Sequence, residues 1–159
     1  MRRRRTRACC LALLWLGAAD SALALTCSVS AIATSFGTYN PFSAVPLDSA
    51  GSVTVTCEQL LISILVNYSI QLSSGASGGY APRSLAGPGY QLDYNLYTNA
   101  ARSSVWGDGS GGTAVVSDGY LLGIVFPVQR SYTVYGRMPA GQNVAPGSYT
   151  DTITVTIDY

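Results

Sequence analysis

The chain has 159 residues, enough for one domain, and carries nine arginines against eight acids, with no lysine and no histidine. The missing imidazole excludes a Ser-His-Asp triad and any zinc site that uses histidine, and it removes the commonest general base. The near-neutral balance hides an uneven layout, because five arginines fall within residues 2–7.

Behind that basic head runs an apolar stretch, Cys9 to Ala19, followed by Ser21-Ala22-Leu23-Ala24. The stretch has 11 residues, too few for a bilayer core that needs roughly 20. A basic head, a short apolar middle and small residues before a cut describe a secretory signal, with cleavage expected after Ala24. Residues 1–24 are therefore expected to leave, and residues 25–159 to form the exported domain. That domain keeps Arg83, Arg102, Arg130 and Arg137 against seven acids, a side-chain charge of −3. The basic head is a targeting device and gives no reason to expect nucleic-acid binding. Cys9 and Cys10 leave with the signal, and Cys27 and Cys57 remain. A disulfide between them is the natural reading in an oxidising compartment; two free thiols are the alternative.

The domain reads as strands and turns throughout. Cys27, Val29 and Ala31 alternate with Ser28 and Ser30, and Val53, Val55 and Cys57 alternate with Ser52, Thr54 and Thr56. The next run, Leu60-Leu61-Ile62-Ser63-Ile64-Leu65-Val66, does not alternate. Contiguous exposed apolar surface marks interaction sites, so Leu60, Leu61, Ile62, Ile64 and Leu65 form a candidate adhesive segment. A buried strand reads the same way. Further strands are expected at Tyr68-Ile70-Leu72, Leu92-Tyr94-Leu96, Tyr132-Val134 and Thr152–Tyr159, each apolar at every second position. Turn residues fall between them at Gly75–Gly79, Gly87-Pro88-Gly89, Gly107–Gly112 and Pro146-Gly147. Six or seven short strands with such punctuation predict an all-β sandwich.

Motifs for chemistry are weak. Gly107-Asp108-Gly109-Ser110-Gly111-Gly112 lacks the lysine and helix of a phosphate cradle, and Asp108 alone is too little for calcium. Scattered acids read as solubilising charge rather than as a glycosidase pair. Asn67-Tyr68-Ser69 is a formal glycosylation sequon inside an expected strand. No catalytic, cofactor or metal residue is expected, and the chain is not expected to be an enzyme.

Several segments in order carry a resemblance. They are Thr26-Cys27-Ser28-Val29 with Phe36-Gly37-Thr38-Tyr39, then Gly51–Cys57, then Leu92–Tyr97 with Arg102 and Trp106–Gly109. Tyr135–Gln142 and Gly147–Asp151 complete the set. Together the set resembles the spore coat protein U family, which includes subunits of archaic chaperone–usher pili. The resemblance implies an immunoglobulin-like β-sandwich that lacks its last strand and is completed by a donor strand. It implies a periplasmic chaperone, an outer-membrane usher and neighbouring pilus subunits as partners, at the cell surface, with adhesion to abiotic or host surfaces through apolar loops. The alternative is a free-standing carbohydrate-binding or small hydrolytic domain using Trp106 and the eleven tyrosines as stacking platforms. In the resembled family, strand-giving subunits carry an extension before the first cysteine. A cut after Ala24 leaves Leu25 and Thr26, about 7 Å of extended chain. A subunit that accepts a strand and gives none, as at a tip, is therefore expected.

Overall fold

The computed structural model describes residues 25–58, 64–122 and 127–159, with Ile64 and Leu122 described by backbone alone. Among these residues lie eight strands: β1 (Thr26–Ile32), β2 (Leu47–Glu58), β3 (Ile64–Leu72), β4 (Arg83–Ala86), β5 (Gln91–Tyr97), β6 (Val116–Leu122), β7 (Val128–Met138) and β8 (Val155–Asp158). A single 3-10 turn, Gly75–Ser77, precedes β4. The strands form two sheets, one ordered β1-β2-β7-β5-β4 and the other β6-β3-β8. Every pairing between named strands is antiparallel.

Period-two burial explains why these sequences choose strands. Val53, Val55 and Cys57 on β2 are 2%, 0% and 0% exposed, while the intervening Thr54 and Thr56 stay partly open. Leu92, Tyr94 and Leu96 of β5 and Val134 and Met138 of β7 extend that apolar face. Val66, Tyr68, Ile70 and Leu72 of β3 oppose it from the second sheet. The result is an all-β, immunoglobulin-like sandwich with one core.

After Ile32 the chain leaves the β1 edge and folds over the inner face. Glycines make room for it. A Cβ on Gly136 would lie 2.6 Å from Thr34 Cγ2 and 2.7 Å from Phe36 Cζ, and one on Gly51 would meet the carbonyl oxygen of Ile32 at 2.5 Å. Phe36 then packs edge-on against Tyr94, ring centroids 5.9 Å apart. Tyr39 finishes the crossing: its hydroxyl donates to the Pro139 carbonyl at 2.8 Å and accepts the Gln142 N–H at 2.9 Å.

Two short strands lie outside the elements expected from sequence. The first, β4, begins with Arg83, which is 0% exposed. Its guanidinium donates to the Ser73 carbonyl at 3.0 and 2.9 Å, to Asn95 Oδ1 at 2.8 Å and to the Trp106 carbonyl at 2.6 Å. It also sits over the Tyr80 ring. The second, β6, carries Gly119 opposite Asn67 of β3, where the asparagine amide fills the space a Cβ would take. The expected final strand from Thr152 starts later, at Val155, although the in-out alternation already holds from Asp151.

Candidate functional site

Among the described residues, the two sheets end, on one side of the sandwich, in strands with an unpaired outer edge: β1 bonds only to β2, and β8 only to β3. Residues opposite one another on paired strands share a face. Val29 and Ala31 face Val55 and Val53, and Val155 and Ile157 face Leu72 and Ile70. All four must therefore point into the sandwich, because Val55, Val53, Leu72 and Ile70 are buried.

They are nevertheless not covered. Val29 is 40% exposed, Ala31 is exposed, and Ile153, Val155 and Ile157 are only half-buried. Core-facing apolar side chains that remain open to water define a groove that lacks a neighbour. Among the described residues no strand pairs with the outer edges of its two walls, and such edges template an added strand.

The Cys27–Cys57 disulfide forms, across the directly opposed pair of β1 and β2. It pins the groove's β1 wall, a strand whose side chains are mostly exposed and whose hold on the core is therefore slight. The β8 wall is held at its start. Ser73 N donates to the Thr154 carbonyl at 2.9 Å, and Thr154 N donates to Ser73 Oγ at 2.9 Å. Arg83 in turn holds the Ser73 carbonyl, so a buried cation anchors the strand edge two contacts away. A lone arginine between turn residues carries no pattern that marks it as buried, and the sequence reading missed it.

The candidate adhesive segment is brought only partly into view. Leu60, Leu61 and Ile62 lie outside the described residues. Ile64 opens β3, Leu65 is 63% exposed, and Val66 is 1% exposed, so alternation has begun by Leu65. Leu65 stands opposite Leu121 of β6, itself 69% exposed, and the pair forms an apolar spot on the outer face of the smaller sheet.

The residues weighed for other chemistry are used structurally. Trp106 is 0% exposed and donates its indole N–H to the Ile70 carbonyl at 2.9 Å, so it offers no sugar platform. The aromatic pairs among the described residues each include a buried ring, Tyr94 or Tyr68. Asp108 folds back into its own loop, accepting the Ser110 N–H at 2.9 Å and hydroxyl at 2.6 Å. That hydroxyl bond holds its carboxyl below the usual range. Asp48 is held low by its bond from Arg137, at 2.7 and 2.8 Å, with Arg102 3.1 Å away. Asp118 is held low by the Tyr132 hydroxyl. A general acid needs the opposite shift. Among the described residues no group of three or more His, Cys, Asp or Glu could hold a metal.

The sequence model of the Spore Coat Protein U domain matches residues 15–156. A relative, Protein U of Myxococcus xanthus, is 36% identical over 133 residues, covering 78% of this chain and 70% of its own. A solved structure with the same fold is the CsuC–CsuE chaperone–tip adhesion subunit pre-assembly complex from the archaic chaperone–usher Csu pili of Acinetobacter baumannii. It superposes with a TM-score of 0.55 at 19% identity over 86% of this chain. This chain spans 40% of the length of the solved chain it matches. The chain belongs to the Spore Coat Protein U domain family.

Proposed function

We propose that this member of the Spore Coat Protein U domain family is an exported, non-enzymatic structural subunit of a surface pilus or coat, assembled by accepting a β-strand from another polypeptide. The observation that carries the reading is the groove between β1 and β8, where Val29, Val155 and Ile157 face the core yet stay open to water. An extended segment laid there would bond to a free strand edge and bury its alternate side chains against those residues. A groove-filling strand of five or six residues spans roughly 17–20 Å. The occupants fitting this role are a periplasmic chaperone during export and a neighbouring subunit after passage through an outer-membrane usher.

Export itself rests on the basic and apolar head of residues 1–24. Leu65 and Leu121 form the surface we assign to adhesion. Replacing Leu65 and Leu121 with serine should lower attachment to an apolar surface while leaving thermal stability within about 4 °C, since both are exposed. Unchanged attachment would remove the adhesive role.

The acceptor role is tested by amide hydrogen exchange with a synthetic peptide of 13 residues that alternates valine and threonine. Protection should rise together along residues 26–32 and 152–158. Protection rising at neither edge would sink the reading.

A further inference from the structure

The smaller sheet has a second open edge. Among the described residues β6 pairs with β3 alone, so its outer side, like that of β8, has no strand beside it. The two edges differ in what stands on their core side. β8 presents Val155 and Ile157. On β6 the residues opposite the buried Val66, Tyr68 and Ile70 are Tyr120, Asp118 and Val116, so a carboxylate holds the middle core-facing position. Its Oδ2 accepts the Tyr132 hydroxyl at 2.6 Å, a bond that keeps the group ionised at neutral pH. The Arg130 guanidinium, over the Tyr120 ring, adds positive charge nearby.

The same carboxylate reaches the edge itself. On the β3 segment, Ser73 turns its N–H toward β8 and donates to the Thr154 carbonyl. Bonding direction alternates along a strand, so the even-numbered residues of β3 bond toward β6. The Val66 carbonyl agrees, lying 3.1 Å from where a Cβ on Gly119 would stand. Opposite these residues, Asp118 and Tyr120 bond to β3, and the N–H groups of Ser117, Gly119 and Leu121 face the free edge. Gly119 is the middle one of the three, and Asp118 Oδ1 accepts its N–H at 2.7 Å. One side chain thus caps the central edge donor and sets a charge on the core side beside it.

We propose that Asp118 closes the β6 edge to strand addition, so that the sandwich takes a strand at the groove between β1 and β8 and does not pair edge to edge with a second copy of itself. A strand arriving at β6 would have to take the Gly119 N–H from Asp118 and cover an ionised carboxylate with its own inward side chain, and a charge covered in this way is costly. Neither obstacle exists at β8, whose core-facing residues are apolar. An inward-pointing charge on an edge strand is a recognised guard against such pairing. The inference goes beyond the acceptor reading and does not depend on it, because it concerns the opposite edge of the sheet.

The test compares Asp118→Val with the unaltered chain spanning residues 25–159. The substitution removes both the charge and the cap while keeping a side chain suited to a strand. Sedimentation velocity reads self-association, and amide exchange reads where it occurs. The variant should associate at least about 10-fold more tightly, the ratio that corresponds to relieving one unmet polar group. Protection should rise at Ser117, Gly119 and Leu121. Asp118→Asn, which can keep the Tyr132 bond and removes the charge alone, is read the same way should Asp118→Val lose the circular-dichroism signal of the folded sheet. A smaller gain, or one whose protection is confined to residues 26–32 and 152–158, would overturn the role of Asp118 and leave the acceptor reading standing. Association of the unaltered chain through Ser117, Gly119 and Leu121 would overturn it as well.

Discussion

Replacing Arg83 with methionine should destabilise the domain more than any other single charged-residue change. The side chain is 0% exposed, and its guanidinium reaches three acceptors on separate segments: Ser73, Asn95 and Trp106. Asn95 Oδ1 keeps the Leu96 N–H at 3.0 Å after the loss, so two carbonyls, those of Ser73 and Trp106, are stripped of this donor. An unsatisfied buried acceptor costs about 1–3 kcal/mol, and the lost contact with Tyr80 adds about 1 kcal/mol. The sum is about 3–7 kcal/mol. For a domain of this size, that lowers Tm by roughly 10–25 °C. Arg83→Lys should fare little better, since one ammonium cannot span the fork's three directions. Thermal unfolding followed by circular dichroism reads the effect. Amide exchange should also quicken at Thr154, because Arg83 fixes the Ser73 segment that Thr154 bonds to. A Tm within about 3 °C of wild type for both variants would refute the reasoning.

Reducing the Cys27–Cys57 bridge, or replacing both cysteines with serine, should lower stability by about 3–4 kcal/mol, with the loop of 30 residues setting the scale. Urea midpoints with and without reductant measure it, and coincident curves would contradict it. Gly136→Ala drives a methyl to within 2.6 Å of Thr34 and 2.7 Å of Phe36 and should cost about 1–3 kcal/mol by overpacking. A Tm unchanged from wild type would show that residues 34–36 can shift freely. Asp48 has its pKa depressed by Arg137, so its stabilising contribution is present above the unfolded carboxylate pKa near 3.8 and is lost as pH falls below that value. Between pH 5 and pH 2, Asp48→Asn should lose less Tm than wild type. The difference stays small because the pair is about one-third exposed. Parallel pH profiles for the two proteins would contradict the assignment.

Much of the sandwich was legible in the sequence because apolar residues alternate strictly in Val53–Cys57, Tyr68–Leu72 and Leu92–Leu96, and each of these inward sets is buried. The two strands it did not reveal depart from that pattern for physical reasons. β4 hides a cation at a core position, and a charged residue reads as surface until its three acceptors are known. β6 runs Val116-Ser117-Asp118-Gly119-Tyr120, where aspartate and glycine break the alternation, and the glycine answers to Asn67 on a strand about 50 residues away. The groove was half-visible. Alternation at Cys27–Ala31 and Ile153–Ile157 marks which side chains point inward, but their exposure depends on what lies beside them, which no local pattern records. Trp106 shows the reverse case: as an isolated aromatic it suited a sugar platform equally well, and only its bond to the Ile70 carbonyl assigns it to the core.

The central claim is that the sandwich is completed from outside along β8. It is tested most directly by joining an alternating apolar strand to Tyr159 through a short turn, so that the strand can fold back antiparallel beside β8, and measuring Tm against a fusion of the same composition in scrambled order. The account predicts that the alternating strand raises Tm by at least about 10 °C, because several half-buried residues along the groove become covered at once. Equal midpoints for the two fusions would contradict it.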